Sequence, residues 1–274
     1  MIRRRYLAHA LLLPGAILMV YPLLWMVSAS LRPPTEVARD GLIWPWEASL
    51  ASYREGWSSL RYPFGYFLMN SAILCLLAVV GNLFSCVQAA FAFARLDFAL
   101  RRIFFALMLG AIMLPFHVTL VPQYILFHEL DWINTLLPLV VPKFLAVDAF
   151  FVFLLVQFIR TIPRELDEAA AIDGCGTFRL FFTIVLPLIT PALATTATFT
   201  FIWTWNDFFS QLLYLNGIER FTAPVALRIF VENTSPQSPG ALFAMSVLAL
   251  LPVFALFVAF QRLLTEGIAT TGLK

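Results

Sequence analysis

Residues 165–191 read ELDEAAAIDGCGTFRLFFTIVLPLITP. Four acids, Glu165, Asp167, Glu168 and Asp173, fall within nine positions of it. The chain around it is 61% hydrophobic and only 12% charged over 274 residues, with a mean hydropathy of +0.86. An ordinary soluble domain carries about 25% charged residues. So few polar groups could not cover a core of this proportion in water, and the composition specifies an integral membrane protein. What flanks the acidic stretch therefore decides the fold.

Crossing about 30 Å of hydrocarbon takes about 20 helical residues. Six stretches qualify: roughly 7–31, 66–93, 103–127, 138–159, 184–213 and 241–264. Their apolar runs are continuous rather than alternating, which predicts helices and not a barrel. The N-terminus starts like a signal peptide, but its apolar run passes residue 25 without a small-x-small cleavage site. An uncleaved first span fits it better. The expected fold class is thus an all-α membrane protein with six transmembrane helices, residues 1–274 forming a single transmembrane domain.

Basic residues set the orientation. With the N-terminus in the cytoplasm, eleven of them fall inside, among them Arg3, Arg4, Arg5, Arg95, Arg101 and Arg102, against seven outside. Six spans return the C-terminus to the cytoplasm. The two longer outer loops, about 32–65 and 214–240, are rich in turn chemistry (PP, DG and WPW; NG and SPQSPG) and too short for folded domains. The net charge of +2 gives no reason to expect nucleic acid. Three scattered cysteines, Cys75, Cys86 and Cys175, make neither a metal pattern nor a disulfide framework.

In this topology residues 160–186 are a cytoplasmic loop. Pro163 suits a first helical turn. Glu165, Asp167 and Glu168 follow at the helix N-terminus, where negative charge is favoured. Leu166, Ala169, Ala170 and Asp173 share one face. Gly174 and Gly176 end the helix, and Thr177 can cap a second one. Phe178, Phe181, Phe182 and Val185 form the apolar stripe of that second helix, before Pro187 and Pro191 lead into the fifth span. Two short helices on a glycine turn, small alanines and an acidic rim suit a plug for a basic groove on another protein.

The pattern Glu168-Ala169-Ala170, then Asp173-Gly174, Phe178, Ile184, Leu186-Pro187-Leu188 and Pro191, resembles the EAA loop of ABC importer permeases. About ten positions match over 24. Asn70-Ser71, Trp205-Asn206-Asp207, Thr222-Ala223-Pro224-Val225, Gly267-Ile268 and Gly272-Leu273-Lys274 resemble the carbohydrate-uptake branch, and within it the second, smaller permease of maltose-type importers. The likeness runs from about residue 66 onward. Cys175 departs from it, where alanine is common.

The resemblance implies a type I permease fold with a cytoplasmic coupling helix. Glu168, Ala169, Ala170, Asp173, Gly174 and Phe178 would dock in a cleft of a separate ATPase, with Glu168 against a basic group and Gly174 setting the turn. The implied partners are a cytoplasmic ABC ATPase dimer, a second homologous permease, an extracellular or periplasmic substrate-binding protein and the lipid bilayer of the bacterial inner membrane. No cofactor is expected on this chain; ATP and Mg belong to the ATPase. The chain's only lysines are Lys143 and Lys274, neither in GxxxxGK[ST], so it has no phosphate-binding loop of that kind. It is read as a transport subunit and not an enzyme, without catalytic or metal residues.

Substrate-path candidates are Trp205, Asn206 and Asp207 near the outer part of the fifth span; Asn70, Gln123 and Asn134 are weaker candidates of the same kind. Polar groups at membrane depth are costly and face a cavity or a partner helix. Indole faces and amides also suit sugars. Anchoring at the interface competes with this reading for the tryptophans. Asp148 is expected to pair with Lys143, and Pro115 and Pro122 to kink the third span. His9, His117 and His128 stand in separate segments without metal spacing. The expected cargo is a sugar or sugar derivative; glycerol phosphate or a phosphodiester is the alternative. A membrane-embedded transferase or a secondary transporter would need an acid pair, a metal site or an internal repeat with an ion site, and none is evident.

Overall fold

The computed structural model describes residues 2–33, 48–233 and 239–269, with side chains for 12–33, 48–232 and 239–261. The Asp40-Gly41 and Trp44-Pro45-Trp46 turns, most of Ser235–Gly240 and the tail Gly272-Leu273-Lys274 fall outside the described residues. So do the side chains of Arg3, Arg4, Arg5 and His9.

The described residues are helical, without a strand. In chain order the helices are α1 (Ile2–Ser30), α2 (Ala51–Ser58), α3 (Phe64–Arg95), α4 (Arg101–Ile112), α5 (Phe116–Glu129) and α6 (Leu137–Val140). A 3-10 turn, Val141–Leu145, extends α6. Then come α7 (Ala149–Thr161), α8 (Glu165–Ile172), α9 (Thr177–Leu188), α10 (Thr190–Asn206), α11 (Phe208–Tyr214), α12 (Ala223–Asn233) and α13 (Gly240–Ala269).

Four helical stretches are long and apolar enough to cross a membrane: Leu12–Ser30, Phe64–Arg95, Leu137–Thr161 and Gly240–Gln261. They match the expected first, second, fourth and sixth spans. The other two are broken. α4 and α5 meet at 102°, and α9 and α10 at 75°; counting each pair as one span gives six.

The breaks have local causes. Pro115 is extended (φ −61°, ψ 132°) and starts α5, and a residue before proline is pushed out of the helical region. The expected kink is therefore a sharp corner. At the second break, Pro191 cannot donate to the carbonyl four residues earlier. That carbonyl, on Pro187, accepts the Thr190 hydroxyl instead at 2.7 Å. The fifth span is also shorter than 184–213, because Asp207 leaves the helix and starts α11.

The chain divides into two compact units, Met1–Met69 with Thr222–Pro252, and Asn70–Phe221 with Val253–Lys274. In the first, Trp25 meets Phe243 edge to face at 5.1 Å, and buried Phe64 meets Phe230 at 6.0 Å. A Cβ on Gly56 would lie 2.9 Å from Met245, so glycine lets α2 approach α13.

The core of the second unit joins three helices. Cys86, Val87, Ala90, Phe91 and Ala94 line α3, and Phe151, Val152, Leu155, Val156 and Ile159 line α7. Val185, Ile189 and Ala192 come from the α9–α10 corner. The first two sets recur every three or four residues, one face of each helix, and the small residues on α3 permit close packing. The described cysteines are free; Cys75 and Cys86 are buried, Cys86 within this core.

Candidate functional site: the α7–α9 loop and a membrane cavity

The loop begins where α7 stops. Thr161 ends the helix and Ile162 turns extended (ψ 127°) before Pro163. The next helix starts at Glu165, two residues after Pro163, so the proline precedes the first turn instead of occupying it. Glu165, Asp167 and Glu168 all lie in that first turn, where the exposed N–H groups favour acids.

The end of α8 is a Schellman cap. Gly174 N–H donates to the Ala171 carbonyl at 3.1 Å, and Cys175 N–H to Ala170 at 2.8 Å. Gly174 has φ +74°, which glycine adopts without penalty. Thr177 does not cap the second helix: Gly176 occupies that position with extended backbone, and Thr177 is the first helical residue.

The four residues of the expected stripe divide. Phe181 and Val185 are buried in the core, in a wide π-helical turn over Phe181–Val185. Phe178 and Phe182 are exposed, 84% and 60%. Ile172, at the other side of the glycine turn, is 87% exposed. Glu168, Ala169 and Asp173 are exposed beside it, whereas Ala170 is buried. The loop is thus held to the core by Phe181 and Val185. It presents Glu168, Ala169, Ile172 and Phe178.

A residue outside the loop anchors it. Arg95, the last residue of α3, is almost wholly buried and lies 3.2 Å from the Asp167 carboxylate. Its Nη2 donates to the Ile162 carbonyl at 2.8 Å. One guanidinium therefore fixes both the entry to α8 and its first turn. Nothing local to Arg95 in the sequence marks it beyond an inner positive charge, since its partners are 67 or more positions away.

The substrate-path candidates scatter. Asn70 donates to the carbonyls of Glu219 (3.2 Å) and Phe221 (2.9 Å), tying α3 to the segment after α11. Asn134, at φ 60°, accepts from the N–H groups of Asn216 and Gly217 and so braces the same segment. Gln123 is exposed on α5. Trp205 is buried and stacked on Phe201 at 5.4 Å. Asn206 is exposed and donates to the Ile202 carbonyl. Asp207 borders a cavity, where it also caps α11 by accepting from Ser210 N–H at 3.0 Å.

That cavity is about 290 Å3 and belongs to the second unit. Trp203, not Trp205, stands in its wall, with Lys143, Thr204 and Gln211. The expected Lys143–Asp148 pair is present at 2.8 Å. The same Asp148 oxygen accepts from Asn82 at 2.6 Å, and Asn82 reaches Thr200 at 3.0 Å. Among the described residues no group of three or more His, Cys, Asp or Glu could hold a metal.

Residues 81–270 match the family model described as "Binding-protein-dependent transport system inner membrane component". The arabinooligosaccharides transport system permease AraQ of Halalkalibacterium halodurans is 32% identical over 94% of this chain and 92% of its own length. A putative ABC transporter permease of Caldicellulosiruptor sp. is also 32% identical, over 92% of this chain and 91% of its own length. The trehalose/maltose permease MalG of Thermococcus litoralis is 30% identical over 99% of both chains. In fold, the chain superposes with a TM-score of 0.82 on a chain of a bacterial ABC transporter involved in importing the acidic polysaccharide alginate, at 20% identity, over 95% of this chain and 96% of that one. With its bent third and fifth spans and its capped α8 turn, the chain belongs to the inner-membrane components of binding-protein-dependent transport systems.

Proposed function

We propose that this chain is the membrane-spanning subunit of an ATP-driven importer that moves a sugar or sugar derivative inward by alternating access, and that the α7–α9 loop takes its force from a separate ATPase. The observation that carries the coupling role is the exposure of Ile172 (87%) and Phe178 (84%) on either side of a glycine-set turn. Large apolar groups held in water by a rigid, capped turn fit a cleft on a partner. Glu168 and Asp173 beside them supply the charge that a basic rim would meet.

The sugar class is supported by the relatives, whose names include arabinooligosaccharide, diacetylchitobiose and trehalose/maltose systems. In this reading the chain hydrolyses nothing. ATP and Mg sit on an ATPase pair facing the cytoplasm, where both termini of this chain also lie. A second permease completes the path, a binding protein delivers the cargo from outside, and residues 1–274 work as one permease domain. Arg95 passes the motion of α8 to α3, because the guanidinium joins them without an intervening loop.

Purification from the native membrane in mild detergent tests this. The chain should bring an ABC-type ATPase and a second multi-span permease. The assembly, in liposomes with ATP on the ATPase side, should accumulate a sugar presented by its binding protein. A chain that purifies alone, under conditions that hold a known importer together, would overturn the proposal.

A further inference from the structure

The cavity beside Lys143 is built rather than incidental. An ionised group at membrane depth is expensive and needs a partner. Here Asp148 supplies it, and Asn82, fully buried on α3, holds Asp148 in place while reaching Thr200 on α10. The Lys143 carbonyl accepts the Ser85 hydroxyl at 2.7 Å. Three helical elements thus fix one ammonium. The Lys143 and Asp148 side chains remain 27% and 26% exposed, so the pair is not sealed in the core. An ammonium carries three N–H donors, and Asp148 takes one.

The other walls complete a recognisable chemistry. The charged residues lining the cavity are Lys143 and Asp207, and Asp148 stands behind Lys143 as its ion-pair partner. Trp203 and Phe116 add aromatic surface, and Thr204 and Gln211 add neutral polar groups. With Lys143 already paired to Asp148, an anion gains no net attraction, and a phosphate or carboxylate would meet the Asp207 carboxylate. A polyol suits both groups at once, since each hydroxyl both donates and accepts. The volume, about 290 Å3, is at the small end of the roughly 300–1,000 Å3 usual for small-molecule pockets. That is space for one ring and not for a chain.

We propose that this cavity is a transit subsite for a single ring of an uncharged sugar, with Lys143 donating to one hydroxyl and Asp207 accepting from another. The inference rests on the sugar-permease reading and narrows it: the permease chain itself, and not only the binding protein, selects against anionic cargo.

The test uses the whole importer with its binding protein in membrane vesicles. Thr204→Cys is placed in a chain whose Cys75, Cys86 and Cys175 are replaced by alanine, and its reaction with a small polar methanethiosulfonate is timed during transport. Maltose, trehalose and cellobiose are the neutral probes; glucuronate and glycerol 3-phosphate are the anionic ones. Whichever neutral sugar is taken up should slow the labelling about tenfold at saturation, the anions should not, and Lys143→Met should abolish the protection. Ser210→Cys serves the same test if the first variant is not assembled. Neutral-sugar uptake with unslowed labelling would overturn the subsite and leave the permease reading standing. Protection by an anion alone would overturn the charge assignment. Uptake of none of the five by the intact importer would overturn the sugar reading and the subsite with it.

Discussion

Replacing Gly174 by alanine would put a Cβ on a residue whose φ is +74°, although nothing lies within 4 Å of where that Cβ would go. The penalty is therefore conformational and not steric, about 1–2 kcal/mol for a left-handed residue. It falls on the turn that orients Ile172 and Phe178. Gly174→Ala should lower uptake with little change in the amount of chain in the membrane, and Gly174→Asn should do less harm, since asparagine tolerates that region; uptake and immunoblotting on the same cells check it. Arg95→Ala acts differently. It strands Asp167, four-fifths buried, and breaking such a pair costs about 3–5 kcal/mol. Thermal unfolding in detergent should show a lower midpoint for both Arg95→Ala and Asp167→Asn, since the second leaves the buried Arg95 guanidinium without its counter-charge. At this scale the acids and glycines of the loop were legible, because each acts on its own turn. Arg95 was not, nor was the choice of Trp203 over Trp205. Two positions along a helix turn through about 200°, so neighbouring tryptophans face opposite ways, and only packing decides which meets the cavity.

The α8–α9 element separates support from docking by burial. Phe181→Ala empties a core site and should cost about 3–5 kcal/mol, seen as lower thermal stability of the purified chain. Phe178→Ala removes a ring that the chain itself does not cover and should leave that stability unchanged while weakening retention of the ATPase during purification. If the two variants behaved alike, the division of the stripe would be wrong. Helical periodicity indicated the stripe but could not divide it, since the π-helical turn at Phe181–Val185 shifts the register of everything after it. The same limit applies to the spans. Apolar length located all six, and prolines marked the kink in the third. The corners of 102° and 75° depend on how the segments pack once the ladder is interrupted, which composition does not record.

Across the molecule, the apolar surface left uncovered tells where other matter must lie. α1 exposes Leu12, Leu13, Ile17, Leu18 and Met19, each by more than 60%, as expected of a helix whose solvent is lipid or another subunit. The polar network of Asn82, Lys143, Asp148 and Thr200 is the converse, a polar cluster placed where hydrocarbon is otherwise the rule. The sequence pattern disclosed the Lys143–Asp148 pair because the two are five positions apart. Asn82 and Thr200 lie 66 and 52 positions from Asp148, and only the fold brings them in.

ATP-driven uptake of cargo by the assembled importer, compared between wild type, Glu168→Ala and Phe178→Ala at equal amounts of membrane-inserted chain, tests the coupling role of the α7–α9 loop most directly. The account predicts that uptake falls about tenfold or more in each, the effect of losing roughly 1.4 kcal/mol of docking, while thermal stability stays at the wild-type value. Wild-type uptake in both variants would contradict it, because the exposed face of the loop would then transmit nothing.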